Sequence, residues 1–245
     1  MLIDTHCHLD EYDDIDKIVN FDGFMIASGC DLKSNKKVLE LVNNYDNVYG
    51  TIGIHPECVS KVIDEDYKFI ENNLSNKKIV GIGEIGLDYH YDTYDKEKQI
   101  EVFKHQLEIA EKHNIPVVVH SRDAIADTYN TLKEYNIKGT IHCFSSSLEM
   151  AKKFIKLGYK IGVGGVVTFK NGKKIQEIVK NIDLKHILIE TDSPYLSPEP
   201  LRGKRNEPKN VYYVAKKISE IKNLDISLVL EVTNNNAISQ FDLEI

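Results

Sequence analysis

Leu2-Ile3-Asp4-Thr5-His6-Cys7-His8, almost at the N-terminus, is the stretch whose reading decides how the rest of the chain is understood. On an extended strand alternate side chains share a face, which sets His6 and His8 together with Asp4 beneath them. Two imidazoles on one strand face are a seat for a divalent metal, because neutral histidine nitrogen is a common ligand. By itself the pair serves equally well as surface or capping histidines. What the remaining chain brings to the same place decides between the two.

Working outward, β-rich runs recur, each followed by a helical pattern. After residues 2–4 they cover 23–30, 48–54, 79–87, 116–121, 139–144, 160–165 and 187–191. Between them lie helices near 14–20 and 66–74, and apolar stripes such as Ile100, Phe103, Leu107 and Ala110, or Val38, Leu41 and Val42. A last helix near 228–241 closes the chain. Eight βα units in 245 residues are the signature of an α/β (βα)8 TIM barrel, here one domain over 1–245 with no separating linker. The alternative, a doubly wound sheet, calls for a Gly-rich loop after an early strand, and none follows one. Gly162-Val163-Gly164-Gly165 comes too late and reads as glycines easing a tight strand end.

Hydrophobic residues at 42% and charged residues at 28% fit an ordinary globular protein. No apolar run reaches membrane-spanning length, and the N-terminus lacks a signal peptide's regions, so a cytoplasmic protein without a membrane partner is expected. Cys7, Cys30, Cys58 and Cys143 form no C-x-x-C pair and are read as structural free thiols. A net charge of -7 argues against nonspecific coating of nucleic acid. Arg122, Arg202 and Arg205 are the only arginines in a lysine-rich chain, and guanidinium is the group that grips phosphate or carboxylate bidentately.

In a barrel the C-terminal strand ends converge on one mouth. His6 and His8 end the first strand, Glu84 lies late in the fourth, and His120 ends the fifth. His142 falls late in the sixth and Asp192 ends the eighth; His55 follows the third. His90, His105, His113 and His186 read as solvent-facing. Four histidines, a glutamate and an aspartate are too many donors for one catalytic ion. They suit two ions, His6, His8 and Asp192 on one, His120 and His142 on the other, with Glu84 bridging. His55 reads as a substrate or leaving-group contact. Strand parity adds Asp4 and Glu190 as inward carboxylates, which either orient an imidazole or are satisfied by other barrel groups.

The motifs carry a resemblance. Asp4-Thr5-His6-Cys7-His8-Leu9-Asp10, Gly53-Ile54-His55-Pro56, 83–89 (GEIGLDY), 120–124 (HSRDA), 142–145 (HCFS), 190–196 (ETDSPYL) and 202–208 (RGKRNEP) together resemble the TatD family of metal-dependent deoxyribonucleases, in its order and over essentially the whole chain. The resemblance implies an amidohydrolase-like barrel, two divalent ions (Zn, Mn or Mg) and hydrolysis of DNA phosphodiesters, often from a 3′ end. By motif the metal ligands are His6, His8, Glu84, His120, His142 and Asp192.

In the mechanism this suggests, Asp192 acts as general base, while His55 and Arg122 steady the leaving oxygen. Arg122, Arg202 and Arg205 grip phosphates, with Lys170, Lys173, Lys174 and Lys204 either extending that patch or simply solvated. Tyr89, Tyr91 and Tyr94 are candidates to stack a terminal base of a single-stranded or 3′ DNA end. No obligatory protein partner is evident. Two rivals stay open: an amide, ester or lactone hydrolase (including an aminoacyl-ester deacylase), whose barrels often bridge their metals through a carboxylated lysine where this chain has Glu84, and a non-enzymatic metal-binding protein.

Overall fold

The computed structural model describes residues 1–91 and 95–245. Eight parallel strands follow one another round one sheet in chain order. They are β1 (Leu2–Cys7), β2 (Gly23–Ser28), β3 (Val48–Ile52), β4 (Ile79–Asp88), β5 (Val117–Arg122), β6 (Gly139–Ile141), β7 (Lys160–Val163) and β8 (Ile187–Ile189). The ends meet just beyond β8: Cys7 bridges to Ser193, His8 N–H donates to the Ser193 carbonyl (2.7 Å), and Asp192 N–H donates to the His6 carbonyl (3.0 Å). The expected (βα)8 barrel is the observed fold.

Parallel strands need crossover connections, and the helices supply them. These are α1 (Ile15–Val19), α2 (Leu32–Asn44), α3 (Asp64–Asn73), α4 (Lys96–His113), α5 (Ile125–Leu132), α6 (Leu148–Lys156), α7 (Lys173–Asn181) and α8 (Val211–Lys222). A ninth, α9 (Ile226–Phe241), has a different task. Ile3, Ile26, Tyr49, Val80, Val118 and Leu188, one from each of six strands, pack with Ala237, Phe241 and Leu243 into a cluster separate from the main core. Asn236 also donates to the carbonyls of Leu184 (2.9 Å) and Ile187 (2.8 Å) at the foot of β8. The last helix therefore plugs the bottom of the barrel, opposite the mouth. No helix among the described residues is long and apolar enough to cross a membrane.

Two departures from the sequence reading have backbone causes. Asp4 pairs with Met25 and Cys7 with Ala27, so β1 spends one more residue than β2 over that interval. This bulge reverses the alternation: Ile3 joins the inner cluster, and Asp4 no longer shares a face with His6 and His8. Strands β6 and β8 also stop earlier than their apolar runs. Cys143 (φ 42°) and Asp192 (φ 55°) take left-handed backbones that break the ladder, so His142 and Asp192 sit on the turns just past the strands.

Candidate metal centre

His6, His8, Glu84 and His142 are each less than 10% exposed, while His55, His120 and Asp192 are half-buried at the mouth. One oxygen of Glu84 and three further donors, from His6, His8 and Asp192, lie at similar spacings. His6 Nε2 is 3.3 Å from His8 Nε2, 3.3 Å from Glu84 Oε2 and 3.6 Å from Asp192 Oδ1. His8 Nε2 is 3.5 Å from Glu84 Oε2 and 3.4 Å from Asp192 Oδ1. A tetrahedral ion with bonds of about 2.0–2.1 Å needs donors about 3.3–3.4 Å apart, so this quartet fits a divalent metal.

The other oxygen faces a second group. Glu84 Oε1 is 2.7 Å from His142 Nε2, 2.8 Å from His120 Nδ1 and 3.5 Å from His55 Nε2, and the first two histidine nitrogens are 3.2 Å apart. Neighbouring ligands at right angles round an ion with bonds of about 2.0–2.1 Å are roughly 2.9 Å apart, so these spacings also accept a metal.

Close strand approach makes these contacts possible. Gly86 has φ 140°, and a Cβ there would lie 2.0 Å from the His120 carbonyl oxygen, so only glycine lets β4 and β5 approach closely enough for Glu84 to meet His120. At Gly162 a Cβ would lie 2.6 Å from Glu190 Oε2 and 2.8 Å from the His142 Cα. The glycine run in β7 thus makes room for a buried carboxylate rather than merely easing a strand end.

The imidazoles are held from behind. The Ser28 carbonyl accepts from His8 Nδ1 (3.2 Å), which turns the Nε2 lone pair toward the centre. The Ser28 hydroxyl lies 3.0 Å from His6 Nδ1 and accepts from the Thr51 hydroxyl (3.0 Å). Asp88 Oδ2 is 2.9 Å from His120 Nε2, fixing Nδ1 as the nitrogen that faces Glu84. Sequence reasoning assigned no role to Ser28 or Asp88; Asp88 was visible only as part of the GLDY stretch.

Burial and neighbours set the charges. Burial pushes His6 down to about 4, helped by the nearby His142, so it is a neutral imidazole with its lone pair free. Burial alone would raise Glu84, but the charges of His142 and His55 and a hydrogen bond from His120 hold it well below its usual value. Asp192 is likewise lowered: burial opposes, and the bond from His8 with the charge of His142 prevails. Burial opposes the charged form of His120, yet bonds to Asp88 and Glu84 raise it to about 9.

Of the two readings open for Asp4 and Glu190, the structure agrees with the second: both carboxylates are taken by other barrel groups and neither hydrogen-bonds an imidazole, although Asp4 is not on the inward face. The Asp4 carboxylate accepts from the Thr191 N–H (2.9 Å), the Thr191 hydroxyl (2.5 Å) and the His6 N–H (3.3 Å), so it clamps β1 to the segment after β8 and touches no imidazole. The bulge is the reason. Glu190 does point inward; its Oε1 accepts from the Cys143 N–H and lies 3.9 Å from His142 Nδ1, beyond hydrogen-bonding range.

Farther out, Arg122 is 43% exposed, with its guanidinium 4.0 Å from Asp88 Oδ2 and 5.4 Å from the Tyr91 ring centre. Arg202 lies over Phe169 (4.4 Å), and Arg205 lies over Tyr12 (4.7 Å) while donating to the Glu11 carbonyl. Tyr89 donates to Asp127 (3.1 Å) and has the Lys96 ammonium 5.3 Å from its ring centre. Tyr94 lies outside the described residues. Lys170, Lys173, Lys174 and Lys204 are exposed. His90 pairs with Asp123 (3.1 Å), His105 stacks on Tyr67 (4.0 Å), and His113 pairs with Glu71 (3.0 Å). Tyr195, which sequence reasoning gave no role, is half-exposed with its ring 6.0 Å from that of His8. Cys30 is a free thiol, as expected, and its sulfur lies 3.8 Å from His8 Nδ1, because the end of β2 runs alongside β1 at the mouth.

Comparison with known proteins extends this picture. A profile described as TatD related DNase matches residues 3–242. YabD of Bacillus subtilis, named an uncharacterized metal-dependent hydrolase, is 40% identical over 97% of each chain. YcfH of Escherichia coli, named likewise, is 34% identical over 99% of this chain and 96% of its own. Among solved structures, the E. coli TatD homologue YjjV superposes with a TM-score of 0.92 at 29% identity, covering 99% of this chain and 98% of its own. A TatD family hydrolase from Entamoeba histolytica gives 0.86 at 26% identity, over 98% and 97%.

Proposed function

This chain belongs to the family of TatD related DNases, and from that premise we propose that it is a metal-dependent hydrolase that cleaves DNA phosphodiester bonds from the 3′ end. The observation that carries the reading is the division of labour between the two oxygens of Glu84. Oε2 faces His6 and His8; Oε1 faces His55, His120 and His142. One carboxylate offered to two donor groups would hold a pair of ions, with His6, His8 and Asp192 supplying the one and His120 and His142 the other. Bound there, divalent ions (Zn, Mn or Mg) polarise a phosphoryl oxygen and bring the pKa of water toward neutrality.

The chain's own groups supply the rest. Asp192 stays anionic at the mouth and accepts the proton of the attacking water as general base. Water adds to phosphorus as the bond to the departing sugar oxygen breaks. His55 Nδ1 accepts from the Glu57 N–H (3.2 Å), which leaves Nε2 as the N–H turned toward the centre and the leaving oxygen. Arg122, the arginine beside Asp88, takes a phosphate oxygen in line with its fork geometry. Arg202 and Arg205 hold phosphates farther along the strand, and Tyr89 lines that approach. A carboxylate rather than a carboxylated lysine between the donor groups, with arginines at the rim, favours phosphate over an ester, amide or lactone.

The test is a paired assay of metal-stripped and metal-reconstituted protein, on 5′-labelled single-stranded DNA and on a panel of esters and lactones. Ion-dependent shortening from the 3′ end is expected. Glu84→Ala and Asp192→Asn should each lower it about 10²–10³-fold or more with circular dichroism unchanged. Turnover confined to the ester panel, or near-normal DNA cleavage in either variant, overturns the reading.

A further inference from the structure

The cluster at the mouth also contains a sulfur that a histidine–carboxylate hydrolase centre does not call for. Cys30 follows β2, with its N–H donating to Ser34 Oγ (2.8 Å) and its carbonyl accepting from the His55 N–H (2.8 Å), so it is fixed between two loops of the mouth. Donor atoms of His8, Cys30 and Glu84 all lie within 4.8 Å of one another. The thiol is half-buried and lines a cleft of about 1030 Å³ that opens beside His8, so an ion reaches it from solvent. Cys7 differs: it is fully buried, and its sulfur faces the Ile26 carbonyl at 3.5 Å.

We propose that Cys30 is an additional donor of the metal centre, engaged by thiophilic ions such as Cd²⁺ and Zn²⁺ and left aside by Mn²⁺ and Mg²⁺. The proposal rests on the metal-centre reading above and not on the choice of DNA as substrate. Thiolate sulfur prefers soft ions, whereas carboxylate oxygen suits Mg²⁺ and Mn²⁺ equally well without it. With Cys30 beside the other four donors the ion would be five-coordinate, and sulfur at about 2.3 Å and nitrogen at about 2.0–2.1 Å would then sit roughly 3.1–3.8 Å apart. The sulfur starts 3.8 Å from His8 Nδ1, behind the Nε2 that faces the centre, and within 4.8 Å of the donor set, so binding needs the thiol to turn inward about its Cα–Cβ bond. On binding, the metal–sulfur bond forms and the thiol proton leaves to solvent. The consequence is ion selectivity: a soft ion gains a donor in this chain that a hard ion does not use.

Titration of the metal-stripped full chain with Cd²⁺ tests this, reading the ultraviolet sulfur-to-cadmium charge-transfer band alongside the thermal midpoint. The wild type should show both the band and a raised midpoint. Cys30→Ser, and Cys30→Ala as a second variant, should keep a raised midpoint but lose the band, while Cys58→Ser and Cys143→Ser retain it. Cd²⁺ affinity in Cys30→Ser should fall about tenfold or more with Mn²⁺ affinity unchanged, the lower end of what losing a contact round a metal costs. A raised midpoint without a band in the wild type, or a band that survives both Cys30 variants, overturns the proposal. A wild type whose midpoint Cd²⁺ does not move overturns the metal-centre reading along with it. A band in a protein that cleaves no DNA upholds the proposal and removes only the substrate.

Discussion

Asp88 shows how one side chain behind a ligand can govern the centre. It is 2% exposed, holds His120 Nε2 at 2.9 Å and accepts from the His90 N–H at 2.9 Å. An imidazole whose far nitrogen is fixed presents the near one in a single tautomer and direction. Asp88→Asn keeps the volume and loses the charge, so metal affinity or turnover should fall about 10–100-fold, measurable by calorimetric metal titration. Asp88→Glu, which restores the carboxylate, should recover part of the loss if orientation is its role. At this scale the sequence was readable for the residues that converge and not for those that orient. His6, His8, Glu84, His120, His142 and Asp192 could be placed together because strand ends in a barrel meet whatever the local detail. Ser28 and Asp88 act through contacts set by cross-strand register, which periodicity does not record. Asp4 was misplaced for a related reason: one inserted residue between Asp4 and Cys7 reverses a two-residue period, and no composition signal marks the insertion.

Between elements, strand and helix order was legible while strand ends were not. Alternation and apolar runs continue through residues 142–144 and 190–191, but the ladder ends where Cys143 and Asp192 turn left-handed. Packing of α3 on α4 is reinforced by Glu71, whose carboxylate receives Lys112 and His113 from the end of α4. The hydrogen bonds from Lys112 and His113 push the Glu71 carboxyl down to about 2, from an ordinary value of 4.5. A group lowered on folding contributes stability that is full above its unfolded pKa and fades as pH falls through the folded one. The stability difference between wild type and Glu71→Gln should therefore be constant above about pH 5 and shrink toward zero near pH 2. Urea midpoints across that range read it directly. Because Glu71 meets solvent, high salt should flatten the same difference; a gap that widens on acidification would contradict the pairing.

For the whole molecule, the centre is also a source of stability. An ion that binds the folded barrel and not the open chain adds about 2.7 kcal/mol at a free concentration a hundred times its Kd. In a chain of this size that corresponds to a rise in Tm of roughly 5–10 °C, at about 2–4 °C per kcal/mol. Scanning calorimetry with a divalent ion, then with excess chelator, should show the rise and its reversal, and Glu84→Ala should show little of either. The fold class was legible at this scale from the count of βα units. The plug formed by α9 was not, because a helix that closes a barrel has the same apolar period as one that covers its side.

The seam between β1 and the segment after β8 carries a consequence for biogenesis. His6 and His8 lie at the end of β1, and Asp192 and its partner Ser193 follow β8, so the two sides of the seam are made far apart in time. Closure brings the two together through a loop of most of the chain, a contact that is slow to find and cannot be made early. A nascent chain that has completed six or seven strands therefore carries exposed strand edges and an incomplete donor set. Synthesis itself delays completion of the donor set until the barrel shuts, since an unfinished copy that stops before Asp192 lacks one of its members.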